Sequence, residues 1–203
     1  MIIFDFDGTI ADTISLGLVL INSYSEKFKY KKIDREKSSG LSAFELIKEM
    51  GIPLRKLPYL AWFLRKLLKE RASEIPMNPG IKEMLESLKA SGHELGILTS
   101  NSSENVSEFL KRNSIESYFS YMRTKVPLFK KKKAIKKAKH QLKSDFIYVG
   151  DELRDIEACR KNNIPIVSVS WGFNSAESLQ KHNPGLVAKS AEDVVRLCST
   201  CSS

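Results

Sequence analysis

Short apolar runs recur along this chain, separated by stretches whose apolar positions fall at helical spacing. Runs at 2–4, 94–98, 146–149 and 164–169 read as strands buried on both faces, with a fifth at Tyr118–Met122 and a weaker sixth at Leu186–Ala188. Strands alternating with amphipathic helices predict an α/β fold on a parallel sheet.

The alternation fails between Thr13 and Met77, which reads as helix throughout. Leu60, Phe63, Leu64, Leu67 and Leu68 recur at i, i+3, i+4, i+7 and i+8, while Leu16, Leu20, Ile21, Tyr24 and Phe28 mark an earlier helix. Ser42, Phe44 and Ile47 suggest a short helix between them. Asn78-Pro79-Gly80 restarts the first pattern, with Asn78 placed to cap a helix whose first residue is Pro79. The expected organisation is an α/β domain of residues 1–12 and 78–203, interrupted by a small all-helical domain of residues 13–77.

Candidate chemistry gathers where the strands end. Ile2-Ile3-Phe4 runs into Asp5-Phe6-Asp7-Gly8-Thr9. A strand buried on both faces tolerates acids only where it leaves the sheet, so Asp5 and Asp7 belong at its carboxyl end, the edge where open parallel sheets bind ligands. Two residues apart on a strand, both side chains face one reactant, and Gly8 lets the backbone turn behind them. Turn capping is a common job for Asp before Gly. The pattern, however, occurs twice more.

Leu95-Gly96-Ile97-Leu98 ends in Thr99-Ser100-Asn101-Ser102, where hydroxyls and the first amides of a following helix suit a phosphoryl oxygen. A helix cap at Ser100 or Asn101 is the plainer reading. Phe146-Ile147-Tyr148-Val149 ends in Gly150-Asp151-Glu152-Leu153-Arg154-Asp155. If a helix begins there, Asp151 and Asp155 share a face and Asp151 reaches a metal held by Asp5. An exposed, acid-rich helix N-terminus is the competing reading.

Together these residues resemble the haloacid dehalogenase superfamily over nearly the whole chain. Asp-Phe-Asp-Gly-Thr at 5–9 is similar to its first motif, Ile-Leu-Thr at 97–99 to its second and Gly-Asp-x-x-x-Asp at 150–155 to its fourth. The third motif is a lysine, for which Lys130 to Lys133 all compete; Lys131 aligns with relatives that carry Phe-Gly-Lys, and Lys130 and Lys132 remain alternatives. Ser170-Trp171-Gly172-Phe173-Asn174-Ser175 resembles a Trp-Gly segment of phosphoglycolate phosphatase-like members.

The resemblance implies a Rossmann-like core whose helical insertion acts as a cap, closing over the substrate and choosing the leaving group. It implies a phosphatase acting on a small phosphorylated metabolite, a phosphoglycolate-like ester. Asp5 would attack phosphorus to form an aspartyl-phosphate, and Asp7 would protonate the leaving oxygen and then deprotonate water. Mg²⁺ would be held by Asp5, the Asp7 carbonyl and Asp151, with Asp155 behind them. Lys131 would add positive charge, and Thr99, Ser100 and Asn101 would hold the phosphoryl oxygens. The turn Ser38-Ser39-Gly40-Leu41-Ser42 is the expected specificity loop.

Two sister chemistries fit less well. The branch that attacks carbon needs neither a second Asp nor a metal, and ion-pumping relatives need long membrane segments, whereas this chain has no apolar run near ~18 residues. A phosphomutase is the alternative within the chemistry; relatives of that kind carry basic residues near the positions of Ser39 and Ala43 here.

Composition and charge alter this picture little. The formal net charge is +9, and Arg123 to Lys143 holds ten basic residues and no acid. Such a tract binds nucleic acid by releasing counterions, which makes a nucleic-acid-binding protein with a vestigial acidic site the alternative from another class. Ile135, Ala138 and Leu142 lie at helical spacing, however, so the lysines are expected to form the solvated face of one helix, with no nucleic-acid partner. Cys159, Cys198 and Cys201 are too few for a disulfide framework, and a strand beginning at Met1 leaves no room for a signal peptide; a cytoplasmic monomer is expected, without a membrane partner. Cys198-x-x-Cys201, in a Ser-rich tail, and the isolated His93, His140 and His182 are assigned no function.

Overall fold

The computed structural model describes residues 1–33, 43–127 and 130–201. Six parallel strands, β1 (Ile2–Phe4), β2 (Leu95–Leu98), β3 (Phe119–Arg123), β4 (Ile147–Gly150), β5 (Ile166–Val169) and β6 (Val187–Ala188), form one sheet in the order β3-β2-β1-β4-β5-β6. The chain therefore reverses its direction of travel across the sheet between β1 and β4, the switch point beside which open α/β sheets bind ligands.

Among the described residues between β1 and the return of the chain at Asn78 lie the helices α1 (Thr13–Ser23), α2 (Ser25–Phe28), α3 (Ala43–Glu49) and α4 (Leu57–Glu70). Next come α5 (Ile81–Ala90) and α6 (Ser103–Arg112), which with α10 (Ala191–Cys201) pack on the face of the sheet bearing Ile2 and Phe4. Helices α7 (Lys131–Leu142), α8 (Leu153–Arg160) and α9 (Ala176–His182) cover the opposite face, where Ile3 and Tyr148 point. Burial on both sides explains why β1 is apolar at every position rather than alternating. Each fully buried aliphatic side chain contributes about 1.5–3 kcal/mol of transfer free energy.

The helical insertion has a small core of its own, formed by Leu18, Ile33, Leu46, Met50, Ile52 and Leu60. Leu16, Leu20, Leu67 and Ile75 face the other way and join the main core, so α1 and α4 bind the insertion to the sheet domain. The single early helix expected through Phe28 is broken at Tyr24. Hydroxyls take the last carbonyls there: Ser23 donates to Leu20 at 2.7 Å and Tyr30 to Ile21 at 2.5 Å.

The chain leaves and re-enters the sheet domain side by side. Asp12 N–H donates to the Pro76 carbonyl at 2.8 Å, Asn78 N–H to Ile10 at 3.0 Å, and Ala11 bridges Met77. Asn78 does not cap a helix beginning at Pro79, as its sequence position predicts. The helix begins at Ile81 behind Gly80, and the Asn78 amide instead donates to the Thr9 carbonyl at 3.1 Å, tying the return point to the turn after β1.

On α7, Ala134, Ile135 and Ala138 are buried while Lys132, Lys133, Lys136 and Lys137 are exposed. Cys198 is buried in the main core and Cys201 half-buried beside it, so packing accounts for the pair. Among the described residues no helix is long and apolar enough to cross a membrane.

Candidate active site

Three strand ends meet at the switch point. Asp5 follows β1 directly and stays in register with β4, its N–H donating to Val149 at 2.8 Å, and it is buried. Its carboxylate accepts the Phe6 amide at 2.8 Å on one oxygen and the Lys131 ammonium at 2.5 Å on the other. Lys131 is the first residue of α7 and is itself buried; its Nζ also lies 2.5 Å from Asp155 Oδ1 and sits 5.4 Å from the centre of the Tyr148 ring. Burial alone pushes its pKa down, but Asp155 and Asp5 reverse this and hold it well above the ordinary lysine range. Lys130 and Lys132, the alternatives at this position, are exposed.

Asp151, just after β4, is wrapped by backbone and small residues. Thr9 donates its hydroxyl to one oxygen at 2.9 Å and Phe173 its amide to the other at 2.7 Å. Gly8, at φ +75°, has no room for a side chain, because a Cβ there would lie 2.5 Å from Asp151 Oδ2. Gly172 faces the same carboxylate still more closely. The Trp-Gly segment, read in the sequence only as a subfamily mark, thus forms one wall of the carboxylate cluster, and Trp171 closes it by donating its indole N–H to the Thr9 carbonyl at 3.1 Å.

Asp151 and Asp155 do not share a helix face, as their spacing suggests. The helix starts at Leu153 with Glu152 as its N-cap; Asp155 turns back to accept the Glu152 amide at 3.3 Å, and Asp151 stands outside the helix. The two still converge. One oxygen from each of Asp5, Asp151 and Asp155 lies within 4.8 Å of the others, and all three residues are buried. Burial, then Asp5 and Asp155, raises the pKa of Asp151 well above the carboxylate range; burial also raises that of Asp155, against the pull of Lys131. Three buried carboxylates around one ammonium leave uncompensated negative charge, and an all-oxygen donor set of this kind fits a hard cation such as Mg²⁺.

Asp7 points the same way from the end of β1 but takes other partners. Asn101 donates through Nδ2 to both of its oxygens, at 3.0 and 3.2 Å. Burial and then Asp5 push its pKa up to about 6, while Asn101, Arg65 and Lys131 work against that rise. Thr99 is fully buried at the end of β2, its hydroxyl oxygen accepting the Asn101 amide at 3.0 Å, which leaves its own O–H to donate. Neither Ser100 nor Asn101 caps the following helix; Ser102 does, accepting from the Asn105 amide at 3.2 Å.

A cavity of about 450 Å³ opens from Asp7, Ser100 and Asn101 toward the insertion. Its walls include residues that sequence reasoning did not single out: Arg65 and Lys69 on α4, Asn105 on α6, and the ion-paired Glu152 and Arg154. Burial raises the Glu152 pKa to about 7 despite Arg154. The turn Ser38–Ser42, expected to set specificity, lies outside the described residues, as does Ser39, which weighed against a phosphomutase.

Residues 2–169 match the family model described as haloacid dehalogenase-like hydrolase. A phosphoglycolate phosphatase of Synechococcus elongatus is 30% identical over 201 residues, covering 96% of this chain and 95% of the relative. A pyrophosphatase of Bacillus velezensis is 25% identical, covering 97% and 94%. Among solved structures, a haloacid dehalogenase-like family hydrolase from Streptococcus pneumoniae superposes with a TM-score of 0.72 at 22% identity, covering 96% of both chains.

Proposed function

The chain belongs to the haloacid dehalogenase-like hydrolases, and from that premise we propose that it is a Mg²⁺-dependent phosphatase of small phosphomonoesters, with a phosphoglycolate-like ester as substrate. One observation carries the reading: Asp5, Asp151 and Asp155 cluster within 4.8 Å while Asp7 stands beside them at the mouth of a cavity large enough for a small metabolite. Phosphatases are among its relatives across almost the full chain.

In the first step Asp5 attacks phosphorus, the bond from phosphorus to the ester oxygen breaks, and Asp7 delivers its proton to the departing alcohol. A pKa near 6 keeps part of the Asp7 population protonated close to neutrality, as a general acid requires. In the second step Asp7 takes a proton from water, which attacks phosphorus and frees Asp5. Lys131 holds Asp5 in place, and Thr99 with Ser100 donates to phosphoryl oxygens that carry charge throughout. Asn101 contributes by orienting Asp7. The carboxylates of Asp5 and Asp151 with the Asp7 carbonyl, supported by Asp155, would hold Mg²⁺, which supplies positive charge opposite the phosphoryl dianion.

In this reading residues 1–12 and 78–203 form the catalytic domain, and residues 13–77 form a cap that selects the leaving group. A panel of phosphorylated metabolites that includes 2-phosphoglycolate, scored for phosphate release with and without Mg²⁺, tests the proposal. Release from at least one ester, dependent on Mg²⁺, is expected; an inactive panel with Mg²⁺ present would overturn it.

A further inference from the structure

One face of α4 is turned toward the catalytic cavity. Ala61, Leu64, Arg65, Leu68 and Lys69, at helical spacings of three and four, all line it. The apolar members are ordinary for such a wall. Two cations one helical turn apart are not, because the neighbouring charge is matched: on the helix Lys66 pairs with Glu70 at 3.9 Å, and just beyond its end Arg71 pairs with Glu74. Across the cavity Arg154 is likewise paired with Glu152. Among the described residues, neither Arg65 nor Lys69 makes a hydrogen bond or ion pair with the protein, although Arg65 lies close enough to Asp7 to favour its carboxylate form.

The phosphoryl end of the cavity has its own cation in Lys131, committed to Asp5 and Asp155. Arg65 and Lys69 enter from the insertion, on the side where the leaving group would lie. We propose that Arg65 and Lys69 form a second anion site that selects phosphoryl substrates, esters or anhydrides, whose leaving group carries its own negative charge. The proposal rests on the phosphatase reading and adds how the insertion reads its substrate. Two chemistries supply such a charge, a carboxylate and a second phosphoryl group.

The test compares kcat/KM for 2-phosphoglycolate and for pyrophosphate with that for 2-hydroxyethyl phosphate, which lacks the second charge. Arg65→Gln and Lys69→Gln should each lower at least one of the two ratios about tenfold or more, mainly through KM, as the loss of a charge-assisted hydrogen bond requires. The ratio that falls further identifies carboxylate or phosphoryl. Lys66→Gln, which removes the same charge outside the cavity, should leave both ratios where they were. Ratios unmoved by the two cavity variants, or moved equally by Lys66→Gln, would overturn the site. Should the wild type release no phosphate at all, the phosphatase reading fails separately, and calorimetric binding of phosphonoacetate against methylphosphonate then decides. A wild-type preference for phosphonoacetate that Arg65→Gln abolishes upholds the site; the absence of any preference ends it.

Discussion

Asn101 holds the Asp7 carboxylate with both oxygens in reach of one amide nitrogen, at 3.0 and 3.2 Å. The orientation of that amide is fixed from behind, since Asn101 Oδ1 accepts the Ser102 amide at 2.8 Å and the Asn105 side chain at 3.1 Å. Donation to a carboxylate favours its charged form, so Asn101 works against the rise of the Asp7 pKa to about 6. If Asp7 is the general acid, kcat/KM for an alkyl phosphate should fall as pH rises through about 6, and Asn101→Ala should shift that limb to higher pH. An aryl phosphate, whose leaving group needs less protonation, should show a shallower fall. Superimposable pH profiles for wild type and Asn101→Ala would count against this role.

Asp5→Asn should reduce phosphate release by about 10³-fold or more, and Asp7→Asn nearly as far, since each removes a chemical step while conserving volume. Stability should move the other way for Asp7→Asn in chelator. A carboxyl raised from 3.8 to about 6 stabilises the fold fully below pH 3.8, and that contribution is lost as pH rises through 6. Melting curves should therefore place Asp7→Asn several degrees above wild type at pH 8 and close to it at pH 4. A lower Tm for the variant at pH 8 would show that the contacts of the Asp7 carboxylate outweigh the cost of burying its charge.

Removing Lys131 leaves Asp5 and Asp155 buried without their shared cation. Lys131→Ala should cost about 3–5 kcal/mol of stability and about 10²-fold or more in turnover. Millimolar Mg²⁺ should restore part of the stability, because it supplies charge to the same carboxylates. Lys136→Gln with Lys137→Gln, on the exposed face of α7, should change neither quantity much. Equal losses in the two proteins would place the functional lysine elsewhere.

Gly172 packs so closely on Asp151 that a methyl group there must displace the carboxylate. Gly172→Ala should weaken Mg²⁺ binding about 10–100-fold, the usual cost of disturbing a ligand's support. Mg²⁺-dependent thermal stabilisation provides the readout. Unchanged Mg²⁺ dependence would show that Asp151 tolerates displacement or does not bind the ion.

Much of this site is legible in the chain because acids and hydroxyls stand directly after fully apolar runs, and a strand buried on both faces has only its end to offer them. Asp5, Thr99 and Asp151 are found that way. What spacing does not disclose is partnership across long separations. Nothing local in Asn101 points to Asp7, nor in Asn78 to Thr9. Arg65 and Lys69 escape notice for a related reason: α4 presents two faces, one buried through Leu60 and Leu67 and one lining the cavity, and their stripes overlap in the sequence. The start of α8 differs from expectation because the helix begins only at Leu153 behind Glu152, which leaves Asp151 outside it and off the face of Asp155.

The position of β1 in the sheet has a consequence for how the protein is made. Ile2 pairs on one side with Leu95 and on the other with Ile147, so β1 lacks a sheet neighbour until β2 has been made and is enclosed only when β4 follows. Contacts of such long sequence separation form late, after loop closure has been met. Asp5 and Asp151 thus come together only after β4 has been made, and a nascent or truncated chain ending before β4 carries Asp5 on an apolar strand with one edge open and without the carboxylates of Asp151 and Asp155 beside it. Until β4 pairs with it, that strand presents an open apolar edge of the kind that favours aggregation during folding.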